Sequence, residues 1–133
     1  MESNTTGSYN TAIGHAALLS NTTASNNTAV GYQAGYALTT SGNNTLVGYQ
    51  TGKALIAAAD NVAVGYLALS TETGGQNNVA IGPRALRDQV NTSGNIYNTA
   101  VGSNAAQSMT TGSSNTALGG SALYSNTTAS GNT

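Results

Sequence analysis

The sequence predicts an all-β fold, a β-solenoid of about seven 17-residue coils, and three observations support this prediction. A five-residue motif, Asn-(Thr/Val)-(Ala/Leu)-(Val/Ile/Leu)-Gly, recurs along nearly the whole 133-residue chain. β-Branched residues occupy alternate positions of that motif, as is typical of a strand. The large apolar residues of a conventional core are scarce, since Leu, Ile and Val together number 21 and Phe and Trp are absent.

The repeat is nearly exact. Its motif starts at Asn10, Asn27, Asn44, Asn61, Asn78, Asn98 and Asn115, and it begins again at Asn132. All intervals are 17 residues except one of 20, which contains a three-residue insertion within 88–97. Random low-complexity sequence does not keep this register, so we predict one repeat domain over 1–133 rather than a disordered chain. A column denotes below one position of the repeat, counted from this asparagine.

The first residues of each repeat predict a short strand. The second column is always Thr or Val, and the third is Ala in six of the seven repeats. The fourth column is apolar throughout and consists of Ile13, Val30, Val47, Val64, Ile81, Val101 and Leu118. Side chains two residues apart share one face of a strand. The second and fourth columns should therefore lie together, and the small third column should permit close approach of another layer.

A glycine ends each predicted strand. The fifth column consists of Gly14, Gly31, Gly48, Gly65, Gly82, Gly102 and Gly119. A glycine at a fixed position indicates a positive φ or a contact too tight for a Cβ atom. The remaining residues are mainly Ser, Thr, Gly and Asn, for which we predict a second short strand and a polar turn. Only residues 54–59 look helical, and we expect the stacking of coils to override that preference.

The motif resembles two related groups of fibrous proteins. Residues 27–34, 78–85 and 123–133 are similar to the head repeat of trimeric autotransporter adhesins and to the repeat region of phage-type tail-fibre proteins. The resemblance implies a left-handed parallel β-roll, three of which pack around a threefold axis. It also implies that the second and fourth columns fill each roll, the fourth as a structural core ladder, and that the Ala column faces neighbouring chains. The adhesin unit is shorter, and no coiled-coil neck or anchor is visible in this sequence.

Tyr32, Tyr49 and Tyr66 form a candidate surface or interface ladder. They occupy the sixth column of consecutive repeats and should stack if the coils are in register. Such a strip can bind sugars or a surface. We favour the alternative, a packing ladder or part of an oligomer interface. His15 precedes them in the same column and is expected to be a solvated member of the ladder.

The insertion is the best candidate for a bulging loop with its own contact. It holds Asp88 and follows Arg84 and Arg87. A tolerated surface loop is the explanation that we prefer.

Composition and motifs argue against several classes of function. Three Lys and Arg residues cannot neutralise many phosphates, so we expect no nucleic-acid partner. No apolar run reaches the length of about 18 residues that a membrane span requires, and no signal peptide is visible. With one His, no Cys and four scattered carboxylates, we predict no catalytic residue, no metal site, no cofactor and no enzyme.

We therefore expect an extracellular structural or adhesive fibre module, the rigid trimeric β-roll of a bacterial surface adhesin or a viral tail fibre. Its partner would be itself, with a host surface or a glycan as candidate ligand. One alternative is a self-assembling filament whose subunits stack end to end, because neither terminus shows a cap. Others are a carbohydrate-binding solenoid and an ice-binding solenoid, whose Thr column is here interrupted by Val62 and Val79.

Overall fold

The computed structural model describes all 133 residues as an all-β chain without a helix. Its seven strands form one parallel sheet in chain order. Each pairs in register with the same motif of the next repeat, 17 residues on, or 20 residues on between the fifth and sixth strands. The predicted β-solenoid and its period are thus confirmed. The strands are β1 (Thr11–Ile13), β2 (Thr28–Val30), β3 (Thr45–Val47), β4 (Val62–Val64), β5 (Val79–Ile81), β6 (Thr99–Val101) and β7 (Thr116–Leu118).

Each coil contains one three-residue strand, whereas the sequence predicted two longer ones. The seventh, ninth and last columns all have positive φ, at 19 non-glycine residues in total. These left-handed residues turn the chain so often that no second strand can form. The turns nevertheless bond to the next coil, as where the Thr22 N–H donates to the Thr39 carbonyl at 3.0 Å. Residues 54–59 follow the same pattern and form no helix, as expected.

The third column faces the interior of the solenoid. Its members from the second repeat onward are at most 1% exposed: Ala29, Leu46, Ala63, Ala80, Ala100 and Ala117. Leu46 is the one large residue among them, and two glycines of the ninth column, Gly35 and Gly52, lie beside it. A Cβ atom on either glycine would lie 2.8 Å from a Leu46 methyl group. Most other coils combine Ala in the third column with Leu in the ninth, so the interior keeps a similar filling.

The predicted core ladder is wrong, because the fourth column lies on the outside of the coil. Its residues are half-buried or exposed: Ile13, Val30, Val47, Val64, Ile81, Val101 and Leu118. For the same reason the Ala column does not face other chains, since it fills the interior of its own. The cause is the parity of the strand, in which columns one and three share a face. The interior therefore receives the asparagine and the alanine, and the bulky β-branched residues point outward.

Asparagines of the first column form a continuous ladder inside the solenoid. The six from Asn27 to Asn115 are at most 1% exposed. The Asn44 side-chain carbonyl, for example, accepts bonds from both the backbone N–H and the side-chain amide of Asn61, at 3.1 and 3.3 Å. The Asn61 amide also donates to the Ala59 and Gly75 carbonyls, at 3.0 and 3.1 Å. The ladder thus satisfies turn carbonyls that the narrow interior hides from water.

The insertion interrupts this ladder at one step. The Asn98 backbone N–H still donates to the Asn78 side-chain carbonyl, at 3.2 Å. Its side-chain amide instead donates to the Gln89 side-chain carbonyl, at 3.0 Å. Gln89 therefore replaces the missing amide-to-amide link where the repeat is three residues longer.

The fifth-column glycines are required both by conformation and by space. All seven have φ between 116° and 139°. At Gly65, an added Cβ atom would lie 2.7 Å from both the carbonyl carbon and the oxygen of Gly82 in the next coil. At Gly119, in the last coil, the same atom would meet nothing within 4 Å.

This difference separates the two requirements in one experiment. We expect Gly65→Ala to lower the free energy of unfolding by about 3 kcal/mol, because backbone strain and a clash with the Gly82 carbonyl act together. Gly119→Ala should cost about 1 kcal/mol, from strain alone. Urea denaturation of the two variants checks this, and equal losses would contradict a steric role for the contact between coils.

Candidate functional site

The outer side of the sheet presents a regular apolar surface, which we call the strand face: the side chains of columns two and four on β1–β7. Alternation along each strand puts both columns outside while the third column points in. Ile13 is 59% exposed, Ile81 39% and Leu118 77%, and the four valines of the fourth column are half-buried. No charged residue belongs to this face. A straight strip of seven apolar side chains therefore meets solvent in the single chain.

The sixth-column rings stack along one edge of the strand face. The ring centroids of His15 and Tyr32, Tyr32 and Tyr49, and Tyr49 and Tyr66 are 5.4, 5.3 and 5.4 Å apart, with interplanar angles of 11–17°. The Arg84 guanidinium lies 5.5 Å from the Tyr66 ring centroid and continues the stack as a cation–π contact.

This stacking affects what the aromatic ladder can bind. The rings of Tyr32 and Tyr49 have a neighbouring ring on each face, and Tyr66 has a ring on one face and the Arg84 guanidinium beside it. Only ring edges and hydroxyl groups remain free. A sugar that stacks on an aromatic ring needs an open face, so the geometry favours a packing role for these tyrosines over sugar binding.

The insertion is anchored at its ends rather than bulging throughout. Gln89 and Ile96 are buried, while residues 92–95 are exposed. Ile96 accepts and donates backbone bonds in the ladder, with its N–H on the Gln76 carbonyl at 3.0 Å. The extra residues thus extend one polar turn while the chain on both sides keeps its place in the stack.

A fully buried carboxylate, Glu72, lies under this insertion, and the sequence analysis missed it. Its Oε1 accepts bonds from the N–H groups of Thr73, Gly74 and Gly75 at 2.8, 3.1 and 2.8 Å. Its Oε2 accepts from Gln89 Nε2 at 2.7 Å, and from the backbone and side-chain nitrogens of Asn91 at 3.2 and 3.3 Å. Six donors replace a countercation, so this carboxylate has no free lone pair for acid–base chemistry and is structural.

The one pocket of the molecule lies beyond the end of the tyrosine stack. It has a volume of about 260 Å³ and is lined by Arg84, Arg87, Asn104, Gln107 and Tyr124. Arg87 forms a bidentate ion pair with the neighbouring Asp88, at 2.7 and 2.9 Å. By accepting these hydrogen bonds, Asp88 raises the pKa of Arg87 above its usual value. The predicted contact near the insertion thus has a physical counterpart, although the insertion itself does not line the pocket.

No group of three or more His, Cys, Asp or Glu side chains converges to form a metal site. The structure also contains no helix with the length and apolarity needed to cross a membrane. Comparison of the chain with protein-family models, with curated proteins and with solved structures found no match. The strand face and the pocket are therefore the two features from which a function can be argued.

Proposed function

We propose that the chain is a structural module of an extracellular fibre in which three copies pack side by side through their strand faces. The observation that carries the proposal is the outward apolar strip of the fourth column. Burying such a strip removes apolar surface from water and stabilises the association. The resemblance to adhesin heads and tail fibres supports the threefold arrangement and the extracellular location.

The strand face suits packing against copies of itself. Every copy presents the same strip with the same spacing between coils, and no charge opposes contact. A surface that is identical on each copy is what closed symmetric oligomers use. Three strips that meet around one axis would bury the fourth column, and the second column and the tyrosine stack would lie at its margins.

The size of the face sets the strength of the association. Seven strands spaced about 4.8 Å apart make the face about 29 Å long, and columns two to six are about 13 Å across. The resulting area of about 380 Å² per copy is roughly half the 800 Å² that each partner buries in a standard complex. Association of this chain should therefore depend on concentration.

The solenoid itself supplies stiffness, which a fibre module requires. Adjacent coils bond at the strands and also around the turns, as where the Ser20 N–H donates to the Tyr36 carbonyl at 3.1 Å. Bending the rod would stretch these bonds on one side together with the interior asparagine ladder. The module is thus suited to carry load or to hold a binding part away from a surface.

One substitution tests the proposed interface. Val47→Lys places a charge in the middle of the strand face, where a lone chain lets the ammonium group reach water. Sedimentation equilibrium should then show a mass of 13.1 kDa at all concentrations, whereas the unmodified chain rises toward three times that mass. Thr40→Lys is the matched control, since Thr40 is exposed in a polar turn away from this face. Equal behaviour of the two variants would refute the interface.

The same face supports a second candidate function, ice binding. The second column points outward, so Thr11, Thr45 and Thr116 expose their side chains on a regular sheet. A flat array of methyl and hydroxyl groups can order water, although Val62 and Val79 interrupt the hydroxyl column. Thermal hysteresis in the presence of ice crystals would support this function, and its absence would remove it.

A further inference from the structure

The pocket beyond the tyrosine stack combines features that point to a ligand. Its lining comes from the seventh and tenth columns of three consecutive coils, past the glycine turn and outside the strand face. We infer that it binds a small hydroxylated carboxylate, with a sugar acid as the ligand class. This inference does not depend on how copies of the chain associate.

The charge of the pocket calls for one negative charge. Two of the three Lys and Arg residues in the chain, Arg84 and Arg87, line it. Asp88 neutralises Arg87, whereas the Arg84 guanidinium has no ion pair and donates no hydrogen bond within the protein. Arg84 lies against the Tyr66 ring, and a guanidinium held in this way can present its N–H edge to a carboxylate. A single uncompensated cation suits a monoanion better than a dianionic phosphate.

The neutral residues of the pocket call for hydroxyl groups. The Asn104 side-chain oxygen is the one buried side-chain polar atom in the molecule without a hydrogen-bond partner. A buried acceptor without a donor is unfavourable, so its presence needs an explanation. Rotation about χ2, which is soft in asparagine, can turn this amide toward a ligand hydroxyl. The amide of Gln107 and the hydroxyl of Tyr124 offer further donors and acceptors.

The size of the pocket limits the ligand to about one sugar ring. Its volume of about 260 Å³ lies below the range of about 300–1,000 Å³ that holds drug-sized ligands. A monosaccharide acid such as glucuronate brings one carboxylate for Arg84 and several hydroxyl donors for Asn104 and Gln107. A neutral sugar would leave Arg84 without a partner, and acetate would leave Asn104 without one.

The experiment uses glucuronate as the probe, with glucose, acetate and inorganic phosphate as comparisons. Binding is followed by NMR, from the side-chain amide signals of Asn104 and Gln107. We expect glucuronate to bind in the millimolar range and at least about tenfold more tightly than each of the other three. Equal binding of glucose, tighter binding of phosphate, or no binding of glucuronate would each overturn the inference.

Two variants assign the binding to this pocket. Arg84→Gln introduces the residue that Gln33 and Gln50 supply in the same column, so the fold should tolerate it. It should weaken glucuronate binding at least about tenfold. Lys53→Gln removes the same charge on a coil that does not line the pocket and should leave binding unchanged. If both variants bind glucuronate as the unmodified chain does, the site is not this pocket.

Discussion

Replacing Glu72 with leucine should lower the free energy of unfolding by about 4 kcal/mol, although Leu38 and Leu55 occupy the same column in the two preceding coils. The carboxylate is the only acceptor within reach of the Gly75 N–H and of the Gln89 side-chain amide. Leucine would leave both donors buried without a partner. The apolar surface that leucine adds cannot offset this loss, because a buried unpaired polar group costs its full desolvation.

A conservative substitution at the same site separates the carboxylate from its volume. Glu72→Gln keeps the shape but turns one oxygen into a donor that faces Gln89 or the glycine N–H groups. We expect it to cost about 3 kcal/mol, and the matched change Glu2→Gln, at an exposed position, to cost less than about 0.5 kcal/mol. Urea denaturation at equal protein concentration measures all three variants. If Glu72→Gln proves as mild as Glu2→Gln, the six-donor arrangement contributes little to stability.

Replacing Asn61 with alanine should have an effect of similar size, about 4 kcal/mol, because one side chain serves three coils. Its amide donates to Asn44, Ala59 and Gly75, and its carbonyl accepts two bonds from Asn78, at 2.9 and 3.1 Å. Alanine would leave these groups unsatisfied in an interior that water does not reach. Adjacent coils would then be held only by the strand and turn backbones.

The control for this prediction is an asparagine outside the ladder. Asn95 is exposed and accepts one side-chain bond, from Asn77 at 2.9 Å. Asn95→Ala should therefore cost less than about 1 kcal/mol. Thermal unfolding of both variants, followed by circular dichroism, decides the point. Similar midpoints would show that the buried asparagines do not hold the coils together.

The repeat period predicted the fold well, while the direction of the side chains could not be read from it. A 17-residue spacing with β-branched residues at alternate positions is sufficient for a stack of parallel strands. Parity is harder, because a solenoid can place either set of alternate residues inside. The usual rule that Val and Ile lie inside failed here, since asparagine at column one shares a face with column three and occupies the interior. The constancy of that asparagine in every repeat was the available signal.

The remaining features depend on contacts that one column does not reveal. Glu72 interrupts a column of Leu, Asn, Gln and Met, and the donors that satisfy it lie in the next turn and in the following coil. The pocket joins Arg84 to Asn104 and Tyr124, which lie 20 and 40 residues further along the chain. Once the register is known, the stacking of Tyr32 on Tyr49 follows directly, and the arginine that continues the stack does not.

The central proposal is that copies of the chain meet through the fourth column, and contacts between methyl groups of different chains test it most directly. A sample of mixed chains, half with labelled Val and Ile methyl groups and half unlabelled, allows NMR to detect only contacts between copies. We expect such contacts from the fourth column, including Val30, Val47 and Val64, and none from the interior Ala29 and Ala63. Contacts from the alanines, contacts confined to other surfaces, or no contacts at high concentration would contradict the proposal.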